Sequence, residues 1–144
     1  MNRKSILVVD DEEEVLAALQ TFLELHKFRV KTCRDPLKAL ELMRRGSFQL
    51  ALLDINMPGM DGVALLGRIK ALRPSTQAIM MTAFSTLGNV KACLDAGAAD
   101  YIMKPFVRLD EILSIITLTC ERIERWENAG SRGVESVLER RSAP

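Results

Sequence analysis

The chain has 144 residues, which fits one domain of the usual length of about 100–200 residues with a short extension. Apolar residues make up 48% and charged residues 27%, which excludes a disordered chain. With 20 Lys and Arg against 19 Asp and Glu, no charge excess draws the chain to nucleic acid or anionic lipid.

The first apolar run, Ile6 to Val9, is too short for a signal peptide, and no run approaches the roughly 20 apolar residues of a membrane span. A cytoplasmic protein that binds neither membrane nor nucleic acid directly is expected. Cys33, Cys93 and Cys120 are odd in number and form no C-x-x-C cluster, so they read as reduced packing residues.

Ile6–Val9 predicts a first strand. Glu12 to Glu14 then place negative charge at the positive end of a helix carrying Val15, Ala18, Leu19 and Phe22. Phe28–Val30 predicts a second strand. Pro36 opens a second helix with Leu37, Leu40, Leu42 and Met43, which stops near Gly46. Leu50–Leu53 is the third strand candidate, followed by a helix from about Gly62 to Arg73 with Leu65, Leu66, Ile69 and Leu72. Ala78–Met81 predicts a fourth strand, and a helix from about Leu87 ends at Gly97, a residue suited to a left-handed cap. Tyr101–Met103 is the fifth strand candidate, and a last helix begins near Leu109.

Strict alternation of strand and helix, with mostly continuous apolar strands, predicts a doubly wound, flavodoxin-like α/β fold. Its five-stranded parallel sheet has helices on both faces and an extended C-terminal helix. Ligands of such sheets bind beyond the carboxyl ends of the strands.

Those ends deliver Asp10 and Asp11, Asp54, Thr82, and Lys104 followed by Pro105. At roughly 4 Å two like charges repel by about 1 kcal/mol in water and about 4 at a protein surface, so clustered acids call for a cation. Oxygen ligands without His or Cys favour a hard ion such as Mg2+, with Mn2+ as a substitute. A metal beside Asp54, with Lys104 and Thr82 as phosphoryl-binding groups, would suit Asp54 as a nucleophile forming an acyl phosphate.

Val8-Val9-Asp10-Asp11-Glu12, Leu53-Asp54 through Gly62, Thr82-Ala83, Gly97 through Tyr101 and Lys104-Pro105-Phe106 together resemble the response-regulator receiver family of two-component signalling. The resemblance spans about residues 4 to 125. It implies that Asp54 is the phosphoacceptor. It also implies that Asp11, Asp54 and the backbone carbonyl of Asn56 hold Mg2+, with Asp10 acting through metal-bound water. Lys104 would pair with the phosphoryl group, Thr82 would move toward it, and small Ala83 would leave room. The Lys104-Pro105 bond is implied to be cis, and Tyr101 to be the switch aromatic, filling the space that Thr82 vacates. Asn56 and Phe84 stand where phosphoryl lifetime is set. The Phe84 ring is expected to hinder attacking water.

The phosphoryl donor would be a histidine kinase or a histidine phosphotransfer protein, and the reader a downstream protein target. The surface formed by the fourth helix, fifth strand and fifth helix would change on phosphorylation. The chain would act as a phosphoacceptor with at most slow self-phosphorylation from small donors and slow self-dephosphorylation. His26, the single histidine, reads as a helix-end residue and not as a phosphate relay.

Plainer readings stand beside these. Asp10 and Asp11 also suit a helix cap, Thr82 a strand-end hydroxyl, Lys104 a solvated charge and Tyr101 simple packing. Asp61-Gly62 reads as the turn that starts the third helix. Ile112, Ile116, Thr119, Ile123 and Trp126 recur at three- and four-residue steps, so Ile116, Ile123 and Trp126 are candidates for a dimer seam. The domain is placed at residues 1–125, with 126–144 a loosely held tail beyond Asn128–Ser131 that is too short for a DNA-binding output domain. A receiver cut from a longer regulator is an alternative. So is a Mg2+-dependent aspartyl-phosphate hydrolase, although Asp10-Asp11-Glu12 breaks the spacing of the haloacid dehalogenase type. A flavodoxin-like cofactor binder would want a Ser-, Thr- and Gly-rich loop where this one is acidic.

Overall fold

The computed structural model describes residues 3–83 and 87–142, with the backbone alone at 87–89 and 131–142. Five strands alternate with five helices: β1 (Ser5–Val9), α1 (Glu13–Leu25), β2 (Arg29–Cys33), α2 (Pro36–Arg45), β3 (Leu50–Asp54), α3 (Gly62–Leu72), β4 (Gln77–Thr82), α4 (Leu87–Asp95), β5 (Asp100–Met103) and α5 (Leu109–Ser142). All neighbours pair in parallel, in the order β2-β1-β3-β4-β5. The order reverses between β1 and β3, and such a crevice is where doubly wound sheets bind ligands.

The strand period of two sorts the core into two layers. Leu7, Val9, Ala51, Leu53, Ala78 and Met80 face Leu40 and Met43 of α2, Leu65, Leu66 and Ile69 of α3, and Cys93 of α4. Ile6, Val8, Leu52, Ile79, Met81 and Ile102 face Leu16, Leu19 and Leu23 of α1 and Ile112, Ile116, Cys120 and Ile123 of α5. The three cysteines are buried and unpaired. The central strands read as continuous apolar runs because both faces are covered. Edge strand β2 alternates between exposed and covered residues, so the Phe28–Val30 run marks only its start.

The helix starts follow local chemistry. Asp35 accepts from the Leu37 N–H at 3.0 Å with Pro36 in the first turn, and Asp61 accepts from the Ala64 N–H at 2.8 Å. The α1 stripe is turned from its expected position. Leu16, Leu19 and Leu23 are buried, Val15 and Phe22 lie at the margin, and Ala18 faces out, since the leucines offer more apolar area to the sheet. In α2 the expected Leu37 is exposed and Ala39 is buried instead.

Two expectations concern helix α5. Ile116 and Ile123, expected as seam candidates, are buried on this chain's own sheet, because α5 still overlies the sheet at position 123. Trp126 is 77% exposed. The backbone stays helical through Asn128–Ser131 to Ser142, the stretch expected as a loose tail; Gly130 and Gly133 each cost about 1 kcal/mol relative to Ala in a helix. Among the described residues, no helix is long and apolar enough to cross a membrane.

Candidate functional site

The ladders fix the residues just past the strands. The Asp10 N–H donates to the Cys33 carbonyl at 3.1 Å, the Ile55 N–H to that of Met81 at 3.0 Å and the Lys104 N–H to that of Thr82 at 2.8 Å. Asp54 is in register with Met81, and Thr82 with Met103. Asp10, Asp54, Thr82 and Lys104 are thus carried to one edge on rigid strand ends.

Asp10 is wholly buried, and Asp54 and Thr82 are nearly so. The Lys104 ammonium bridges the two acids, with Nζ 2.6 Å from Asp10 Oδ2 and 3.5 Å from Asp54 Oδ1. The backbone N–H groups two residues on complete the set: Glu12 donates to Asp10 Oδ1 at 2.9 Å, and Asn56 to Asp54 Oδ1 at 3.3 Å. Burial, and next the Asp10 charge, push the Asp54 carboxyl up to about 6, against the opposing pull of Lys104 and the Asn56 N–H. Burial pulls the Lys104 ammonium down, but Asp10, Asp54 and Glu12 outweigh it and the net shift is upward.

Asp10 Oδ2 is buried against the Lys104 ammonium at 2.6 Å, a close charge-assisted contact. The carboxylate oxygens of Asp10, Asp11 and Glu12 lie within 4.8 Å of one another. A buried carboxylate at the root of an all-oxygen cluster fits a hard divalent cation.

The other residues expected at the site fall around this centre. The Asn56 and Ala83 side chains are exposed, and Tyr101 is half-exposed on β5. A cavity of about 310 Å3, lined in part by Ile55, Thr82, Cys93, Ala98 and Tyr101, lies between Thr82 and Tyr101. The Lys104-Pro105 bond is cis. Phe84 lies outside the described residues.

Two residues escaped the sequence reading. Glu12 was given only a helix-end role but joins the acidic triplet; its place directly after Asp10-Asp11 was the available signal. Gly62, read as turn chemistry alone, donates to the Ile55 carbonyl at 2.9 Å, and a Cβ there would collide with the Asp54 carbonyl and sit 2.8 Å from Ile55 Cα. A missing side chain thus lets α3 press against the backbone of Asp54, and that tertiary contact leaves no mark in sequence.

A model of the response regulator receiver domain matches residues 6–117. The chain belongs to that family. The transcriptional regulatory protein PrrA of Mycobacterium tuberculosis is 36% identical over 117 residues, 81% of this chain and 50% of its own. ZraR of Klebsiella oxytoca, also a transcriptional regulatory protein, is 41% identical over 100 residues, 69% of this chain and 23% of its own. Among solved structures, a CheY-like receiver domain protein of Methanospirillum hungatei JF-1 superposes with a TM-score of 0.82 at 35% identity, covering 86% of this chain and 98% of that one. The receiver domain of an HD domain-containing protein of Pseudomonas fluorescens Pf-5 gives 0.81 at 30% identity, covering 86% and 99%. The chain therefore spans half or less of these curated relatives and nearly all of the solved receiver domains. Receiver domains are phosphorylation switches, phosphoacceptors rather than enzymes in the usual sense, and they partner with histidine kinases. Asp10, Asp11 and Asp54 form an acidic pocket, and such a cluster is typical of a receiver Mg2+ site.

Proposed function

We propose that Asp54 is the phosphoacceptor of this receiver and that phosphorylation there controls which proteins it binds. The observation that carries this is the buried Asp54 carboxylate, held at the sheet edge by the Asn56 N–H and facing the ammonium that also pairs with Asp10. In the transfer, an Asp54 oxygen attacks the phosphorus of a phosphohistidine on the partner. The P–N bond breaks, the imidazole leaves with the electron pair, and an acyl phosphate remains on Asp54. Lys104 stands 3.5 Å from the nucleophile, placed to neutralise a phosphoryl oxygen, and the Thr82 hydroxyl is placed to donate to another.

Mg2+, or Mn2+ in its place, would be held by Asp10, Asp11, Asp54 and the Asn56 carbonyl, with Glu12 beside them, and would offset charge on the phosphoryl oxygens. Self-phosphorylation from small donors and self-dephosphorylation are slow side reactions of the same residues.

A phosphoryl group adds about −1.5 to −2 charges, which draws Thr82 inward and opens the neighbouring cavity to Tyr101. Helix α4, β5 and the start of α5 form the surface that then differs between states, for a protein target or a second copy of the chain. The coupling is of the usual size, about 1–3 kcal/mol, a bias rather than a lock. The receiver unit is placed at residues 1–125, with 126–144 an extension of α5, and its setting in the cytoplasm. The length of PrrA and ZraR favours one further reading, in which the chain is the receiver part of a longer regulator.

The test treats wild type and Asp54→Asn with a small phosphodonor and Mg2+ and measures intact mass. Wild type gains the mass of one phosphoryl group and Asp54→Asn gains none. Equal gain in both, or none in wild type, refutes the assignment.

A further inference from the structure

Three sides of the acidic loop are accounted for by Asp10, Lys104 and the sheet edge, but its outer side is held by a residue of another loop. Arg34, between β2 and α2, donates from Nε to the Asp11 carbonyl at 3.2 Å, and its Nη1 pairs with Glu13 Oε1 at 3.1 Å. The peptide joining Asp11 to Glu12 is therefore gripped at both ends. Its carbonyl accepts from Arg34, and its N–H donates to buried Asp10 Oδ1 at 2.9 Å. That peptide plane carries, on either flank, the two residues whose carboxylates complete the triplet with Asp10.

We propose that Arg34 is a positioning residue of the cation site: by holding the Asp11–Glu12 peptide plane it keeps the Asp11 and Glu12 carboxylates turned toward Asp10. The inference rests on the metal reading above. Glu13 aims the guanidinium and cancels its charge, so the brace does not repel a cation nearby. A bond from a charged donor is stronger than a neutral one, and fixing a peptide plane before a cation arrives removes part of the ordering cost of binding. The β2–α2 loop thereby becomes a determinant of cation affinity without contributing a ligand.

Charge and brace are separated by their variants. Removing Arg34 alone leaves Glu13 unpaired and attracts Mg2+ nonspecifically, whereas Glu13→Gln with Arg34→Gln leaves the net charge unchanged and removes only the brace. Isothermal titration with Mg2+ at neutral pH should show the double variant binding about three- to tenfold more weakly than wild type. This is below the roughly 10- to 100-fold cost of losing a buried partner of a metal ligand, because the brace is solvent-exposed. Arg34→Lys, which keeps the charge and one donor, should recover part of the loss. Glu13→Gln alone, which keeps the Arg34–Asp11 bond, should stay within about twofold of wild type. Thermal unfolding in EDTA should place all variants near wild type, since both side chains are more than half exposed. An unchanged or tighter affinity in the double variant, or a full loss in Glu13→Gln alone, overturns the brace while leaving the site intact. If wild type binds no Mg2+, or Asp11→Asn binds it as well as wild type, the site reading falls and the brace with it.

Discussion

At the scale of single residues, Asp54 is an acid whose burial at the sheet edge carries a cost in stability. Its carboxyl is raised from 3.8 to about 6, chiefly by burial and then by Asp10. An acid that holds its proton more tightly folded than unfolded contributes stability below its unfolded pKa. That contribution is lost as pH rises through the folded value. The window here runs from about 4 to about 6. At roughly 1.36 kcal/mol per pH unit, ionised Asp54 destabilises the metal-free fold by up to about 3 kcal/mol above pH 6. Asp54→Asn keeps an acceptor for the Asn56 N–H and removes the charge. In urea unfolding with EDTA it should therefore be more stable than wild type by about 1–3 kcal/mol at pH 7.5, and the gap should shrink by up to about 2 kcal/mol at pH 4.5, where folded wild type is protonated. A gap of the same size at both pH values would show that the Asp54 carboxyl is not raised by its buried setting. The identity of Asp54 as the central carboxylate was legible in the sequence. Its environment was not, because burial and the distance to Asp10 are properties of the packed edge. Arg34 and Gly62 were illegible for the same reason: one acts through a hydrogen bond to a distant backbone carbonyl, the other through a side chain it lacks.

At the scale of elements, two helices end by the same device with different residues. In α4, Gly97 takes φ +97°, its N–H donates to Leu94 at 3.0 Å, and the Ala98 N–H donates to Cys93 at 2.9 Å. In α1, Lys27 takes φ +68°, with its N–H on Glu24 at 3.0 Å and the Phe28 N–H on Leu23 at 3.1 Å. The left-handed conformation costs an L-residue about 1–2 kcal/mol, and glycine adopts it freely. Lys27→Gly should raise the denaturant midpoint by the equivalent of about 0.5–1 kcal/mol, the remainder being lost to the greater freedom of glycine in the unfolded chain. A lower midpoint would mean that the exposed lysine has a stabilising contact that outweighs its strain. The Gly97 cap was legible because glycine is the residue such a cap prefers. Lys27 carried no signal, since only the trajectory from α1 into β2 demands its conformation. The rotation of the α1 stripe was hidden likewise: Val15, Ala18, Leu19, Phe22 and Leu16, Leu19, Leu23 both keep helical spacing, sharing Leu19, and the sheet selects between them.

For the whole molecule, the parallel topology makes the site readable from sequence: right-handed crossovers bring every strand's carboxyl end to one edge, so short motifs far apart in sequence become neighbours. The use of α5 was not readable in this way, because a stripe at three- and four-residue steps serves equally for packing on a sheet and for meeting a second helix. The structure divides that stripe between Ile123, 8% exposed in the layer shared with α1, and Trp126, 77% exposed one turn later. The two should therefore fail differently. Ile123→Ala removes a buried branched side chain from the chain's own core and should lower stability by about 2–4 kcal/mol, measured by urea unfolding at a concentration where the protein is monomeric. Trp126→Ala should change monomer stability by less than about 0.5 kcal/mol. If the extension of α5 is where two copies meet, Trp126→Ala should instead shift the concentration dependence of sedimentation, because an exposed aromatic ring is the residue type whose burial dominates such contacts. Equal stability losses in both variants would place Trp126 in the core and leave α5 without a free apolar residue at that turn.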